Sequence, residues 1–185
     1  MAAPPEKTIK DLSGKWVMNK TLSDDVDAIL ALQGIGWFLR KAISLATITL
    51  TITQYTDADP PNTTHIDTHQ VATGGVGATT ELRTLDWTWR DHKDGIFGEL
   101  KGRSRWVDEK MLEEMDEWLR TGWLDEEGGT KVQSWAESDA KGWNADQVWG
   151  FEEVLGKRYH TRHLIVRKGE EYKMARLVYD YQGAA

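Results

Sequence analysis

"LQGIGWFLRKAISLATITLTITQY", residues Leu32 to Tyr55, changes its period partway along. Ile35, Phe38, Leu39, Ala42 and Ile43 recur at offsets of three and four, the spacing that gives a helix one apolar face. From Ala46 onward the pattern is strict alternation: Ile48, Leu50 and Ile52 against Thr47, Thr49, Thr51 and Thr53. Period two with β-branched residues marks a strand that is buried on one side only. Gly34 and Gly36 divide this helix from an earlier apolar series, Val26, Ile29 and Leu30. Ser23 offers that first helix an N-cap, and Asp24 and Asp25 suit the positive end of its dipole. The stretch predicts two short helices over about 23–45, feeding a long strand.

Working outward, residues 1–11 carry prolines and charges without periodicity and read as a flexible leader before a single domain over 12–183. "SGKWVMN" alternates as a first strand, and "DADPPN", "GGVG" and "HKDG" are turns by composition. Between them "TTHIDTHQVAT", "TTELRTLDWTWRDH" and "IFGELKGRSRWV" read as strands. "EKMLEEMDEWLRTGW" aligns Met111, Leu112, Met115, Trp118 and Leu119 on one stripe, an inserted helix over about 108–122. Four more strand patterns run to the C-terminus. The expected fold is mainly β, an antiparallel meander of about nine or ten strands. Closing into a barrel protects its edges and leaves room for a guest.

Net charge is −7, which disfavours nucleic acid as a partner, since a binder needs a basic face to displace phosphate counterions. The chain has no cysteine, which removes disulfides, thiolate metal sites and a cysteine nucleophile. Nothing approaches the roughly 18 apolar residues of a membrane-spanning helix, and the first residues lack a signal-peptide core. A cytoplasmic protein is expected. Ten tryptophans exceed what an ordinary core requires; the indole serves well where one edge buries area and the other meets a ligand.

These residues carry a family likeness. "SGKW" resembles the Gly-x-Trp that opens the first strand of calycins, and "GIGWFLRK" resembles the helix-turn-helix run of intracellular fatty-acid-binding proteins. The resemblance covers about Leu12 to Tyr55. It implies a lipocalin-like barrel whose helix pair forms a portal, with Trp37 facing the opening and Arg40 and Lys41 meeting an anionic head group or membrane surface. The C-terminal "ARLVYDY" is similar to the family's closing Arg-x-Tyr strand, in which both residues hold a carboxylate. Here the spacing is Arg176-x-x-Tyr179, and alternation places the two on opposite faces.

Candidate acid–base groups are His65 and Asp67 of "HIDTH", Glu81 and Arg83 of "ELRTLDWTW", and His163. Asp67 lies two residues from each histidine of its motif, as an acid–base pair would; a polar outer strand face is the plainer reading. The two histidines stand about 13 Å apart along a strand, too far to share a metal, so no metal site is expected; no cofactor is expected either. Glu81, Arg83, Leu85, Trp87 and Trp89 share one parity, assigned inward. Ligand contacts are expected from Trp37, Trp87, Trp89, Trp149, Phe151, Tyr159, Arg176 and Tyr179.

Two functions follow. One is the binding of a hydrophobic, lipid-like or aromatic small molecule in the barrel. The alternative is a cofactor-independent isomerase or cyclase, with one or two of those side chains acting as acid, base or donor. The inserted helix could dock over a barrel end, move as a lid or join a homodimer. Its acidic face is all that favours an interaction protein.

Overall fold

In the computed structural model, which describes residues 1–185, the alternating segment is a strand of a ten-stranded antiparallel barrel. The chain order is β1 (Gly14–Met18), α1 (Asp27–Leu32), α2 (Trp37–Leu45), β2 (Ile48–Thr56), β3 (Thr64–Ala72), β4 (Gly77–Thr84), β5 (Arg90–Asp94) and β6 (Gly98–Val107). Then follow α3 (Glu109–Glu113), α4 (Glu117–Arg120), a 3-10 turn, β7 (Lys131–Ser138), β8 (Trp143–Val154), β9 (Lys157–Lys168) and β10 (Glu171–Gly183). Each strand pairs with its chain neighbour, and β1 closes the ring by pairing with β10. One junction stays open: β4 and β5 are consecutive in the chain but form the two edges of the sheet.

Alternation sorts the strands into walls. Trp16, Leu50, Ile52, Ile66, Val132 and Trp149 point inward and are fully buried. The threonines of β2 face out. Across one end lie α1 and α2, with Ile29, Leu30, Ile35 and Ile43 turned onto the barrel. No helix is long and apolar enough to cross a membrane.

Four details depart from the sequence expectation. Ser23 caps no helix: α1 starts at Asp27, and the Ser23 hydroxyl instead accepts from the Val178 amide at 2.9 Å, tying this segment to β10. The leader is docked. Ala3 and Ile9 are buried, and Arg158 donates to the Pro4 and Lys7 carbonyls while gripping Glu126 at 2.6 Å, so residues 1–11 plug the barrel floor. The predicted helix over 108–122 is split in two, because the Asp116 carboxylate accepts from the Trp118 amide and starts a new turn. These helices cover the outer wall of β8 and β9, not a barrel end: Leu112 and Leu119 pack on Val107, Val148 and Ile165. Finally, the long strand through Trp89 breaks after Thr84, where Trp87 takes a left-handed backbone (φ 59°).

Candidate functional site

The barrel holds a cavity of about 660 Å³, the size of a small-molecule site. Its helical end is apolar, lined by Ile29, Leu30, Phe97, Leu164 and Leu177. Its deep end is polar and positively charged. Arg83 projects inward from β4 and Arg162 from β9, and both face Trp149 of β8, with guanidinium carbons 4.9 Å and 3.8 Å from the ring centre. Arg162 also lies over Tyr179 at 5.0 Å. Two cations about one indole are mutually repulsive, and the ring's negative face offsets part of that cost.

The partners of these cations are few. Arg83 pairs with Glu81 two residues away on the same face, and its Nε donates to Ser134 Oγ at 3.4 Å. Arg162 Nε donates to His160 Nε2 at 3.4 Å. Arg83 Nη1, Arg162 Nη2 and the Thr68 hydroxyl are buried with no hydrogen-bond partner in the protein. A buried donor left unmatched costs about 1–3 kcal/mol, more when charged. Three such groups around one cavity mark a place where an oxygen-bearing ligand would satisfy them.

Burial, and then the neighbouring Arg162, push the Arg83 guanidinium down to about 9, which still leaves it protonated at neutral pH. Burial also lowers Arg162 and raises the Tyr179 phenol, the latter opposed by both arginines. His160, enclosed below by Trp16, Phe151 and Tyr179, is pushed to about 3 by burial and by Arg162. It is a neutral imidazole that donates from Nδ1 to the Gly150 carbonyl at 3.0 Å and accepts from Arg162. The deep pole therefore offers hydrogen-bond donors and positive charge.

The chain is 36% identical over 185 residues to the probable pericyclase scpY of Mollisia scopiformis, covering 98% of this chain and 95% of that one. It is 33% identical over 183 residues to the pericyclase pydY of an Acremonium species, covering 99% and 98%. The chain belongs to this pericyclase family. No family model matches it. Among solved structures, a Schistosoma mansoni fatty acid binding protein in complex with arachidonic acid superposes with a TM-score of 0.58 at 18% identity, covering 96% of this chain and all of that one. The fluorescent protein UnaG gives 0.54 at 14%, covering 92% and 97%. At such identities the likeness is one of fold, and it establishes the calycin barrel with its helix-turn-helix.

In this pericyclase-family barrel the residues anticipated from sequence are dispersed. Glu81, Arg83, Trp149 and Tyr179 converge on the deep pole. Phe151 lies beneath it in the floor. His65 and Asp67 stand on the outer face of β3, where His65 stacks on Tyr55 and bonds Asp57 at 3.1 Å. The inward assignment of Trp87 and Trp89 does not hold. The break at Trp87 turns both indoles outward, where they clasp Arg103 at 4.0 Å and 4.3 Å. Trp37 is 56% exposed on α2 and does not border the cavity. Arg40, expected at an opening, instead ties the helices together through Asp27 and the Ile35 carbonyl.

Tyr159 packs outside the cavity, with Val154 and Val178. Arg176 faces away from the cavity while Tyr179 faces in, as the odd spacing requires. His163 is also on the outer wall, sandwiched by Trp118 and Trp123. Its Nε2 lies 3.1 Å from Glu152 and its Nδ1 2.8 Å from the Trp118 carbonyl. Gly122 (φ 90°) makes this fit, since a Cβ there would fall 2.7 Å from Glu152 Oε1.

No periodicity or motif marks Arg162, Thr68, Ser134 or His160 as site residues. Arg162 was the hardest to see. On β9 eight consecutive residues are buried, because the cavity covers one face and the inserted helices the other. Such a strand carries no polarity alternation from which to choose its inner face.

Proposed function

We propose that this protein is a cofactor-independent pericyclase that folds a flexible, unsaturated substrate inside the barrel and polarises one end of it. The carrying observation is the deep pole, two inward guanidiniums with unmatched donors beneath an apolar chamber, in a chain of the pericyclase family. A pericyclic step rearranges bonding electrons in a ring, with no leaving group and no obligatory proton transfer. Two things accelerate it. The chamber restricts an extended chain to conformers with the reacting carbons in contact, replacing entropy that the free molecule must lose. Donors on a carbonyl or enolate oxygen conjugated to the reacting π-system then stabilise charge that grows in the transition state. Arg83, Arg162 and Tyr179 supply those donors, and Ile29, Leu30, Phe97 and Leu164 hold the hydrocarbon.

The substrate class is thus a hydrophobic polyene with an acidic or carbonyl-bearing head, and product and substrate have equal mass. The same cavity supports simple carriage of such a molecule, the reading closest to the fatty-acid-binding fold. One experiment separates them. The purified protein is incubated with the substrates of scpY and pydY, and recovered material is analysed by chromatography, mass and ultraviolet absorption. Conversion to an isomer of unchanged mass with loss of conjugated absorption supports catalysis. Stoichiometric binding with unchanged recovery supports carriage and ends the pericyclase reading.

A further inference from the structure

The barrel wall is open on one side. On β8, β9 and β10 the residues that border the cavity alternate: Trp143, Ala145 and Gln147, then Arg162 and Leu164, then Leu177 and Tyr179. A wall sealed by hydrogen-bonded ladders requires this. On β4 the alternation is lost, and every residue from Thr80 to Thr84 borders the cavity. Opposite, the same is true of Arg90 to His92 on β5 and Leu100 to Ser104 on β6, fading through Ser134 to Ala136 on β7. A cavity confined within the barrel would touch inward residues alone; both parities border this one because it runs out past the open junction and over the adjoining outer wall of β6 and β7. β4 and β5 are the edges of that junction, and no ladder joins them. At the rim Leu82 holds a large aliphatic side chain 69% exposed.

The helical end, in contrast, is fastened. Arg40 bonds Asp27 at 3.0 Å and the Ile35 carbonyl at 2.8 Å, locking α1 to α2. Asp24, just before α1, accepts from the Arg176 amide of β10 at 2.7 Å. Ile29, Leu30 and Ile43 are buried beneath. Opening that end breaks several hydrogen bonds and exposes core, whereas the slot between β4 and β5 has no ladder to break.

We infer that substrate and product pass through the β4–β5 slot and not past the helix pair, with Leu82 at its rim. The outer clasp of Arg103 between Trp87 and Trp89 anchors the segment joining the two edge strands, and the Trp87 amide donates to the Ser104 carbonyl at 2.8 Å. The slot is thereby bounded at one end and free along its length. The inference rests on the reading of the cavity as a ligand chamber.

The chain has no cysteine, so single thiols can be placed without background. Leu82→Cys puts one at the slot and Phe38→Cys puts one on the helix pair, at a side chain 84% exposed. Each variant is studied before and after coupling to a polyethylene glycol maleimide, with stopped-flow uptake of 1-anilinonaphthalene-8-sulfonate as the readout. Coupling at position 82 is expected to slow association at least tenfold, and coupling at 38 to change it less than twofold. Slowing at 38 alone, or at neither position, overturns the slot. Failure of the unmodified protein to take up the probe removes the chamber reading, and the slot with it, before any label is added.

Discussion

Arg162 and His163 are neighbours on β9, both are buried, and each stacks against tryptophan, yet their surroundings differ in kind. On the outer wall His163 has both ring nitrogens facing oxygen acceptors, Glu152 and the Trp118 carbonyl. On the inner wall Arg162 keeps Nη2 unmatched, and Arg83 keeps Nη1. Burial and aromatic contact are common to the two. Unused hydrogen-bonding capacity is what separates a site from a structural clamp, because only the inner cluster gains by meeting a ligand.

The largest effect is expected at the clamp. Removing His163 leaves the buried Glu152 carboxylate without its partner, and an uncompensated buried charge costs about 3–5 kcal/mol. His163→Ala should lower stability by that much in urea denaturation, while remaining folded protein turns over substrate normally. An activity loss larger than the unfolded fraction would erase the contrast between the two walls.

Arg162→Met is the inner counterpart. Turnover should fall by about 100-fold, the size of effect seen when an oxyanion donor is lost. Stability should hold or rise, since a buried cation with incomplete pairing is replaced by an apolar chain of similar length. A sharply destabilised Arg162→Met would make this residue structural.

A third test uses pH. Asp146, on the outer wall, accepts from Gln133 Nε2 at 2.9 Å, and burial raises its carboxyl to about 6. The folded state therefore holds this proton more tightly than the unfolded chain does. The resulting stabilisation is full below about pH 4 and is lost as pH rises through about 6, a span worth roughly 3 kcal/mol. Asp146→Asn should flatten that part of the stability–pH curve and be the more stable form at pH 7. The smallest effect is expected at the helix pair, where Trp37→Ala should change the probe's association rate less than twofold.

The legibility of these features follows from how many environments each strand meets. β2 has one wet face and one dry face, so its threonines and isoleucines declared both the strand and its orientation. The odd spacing of Arg176 and Tyr179 correctly implied that only one reaches the interior. β9 is dry on both faces, so nothing in its sequence separates the face of Tyr159, Thr161 and His163 from that of Arg162. In "ELRTLDWTW" the parity of Glu81 and Arg83 was right, and it failed at Trp87, where a left-handed residue reverses the side chains that follow. The docking of residues 1–11 was invisible because their partners, Arg158 and Glu127, lie far along the chain.

By itself the sequence determined a helix pair, a meander of alternating strands and the stock of aromatic and basic groups, because periodicity is a local property that solvent on one face writes directly into residue type. Tertiary structure alone decided that Arg83 and Arg162 meet across Trp149 while His163 is clamped outside. Which of two dry faces points inward depends on what covers the other, and that cover comes from the inserted helices, elsewhere in the chain.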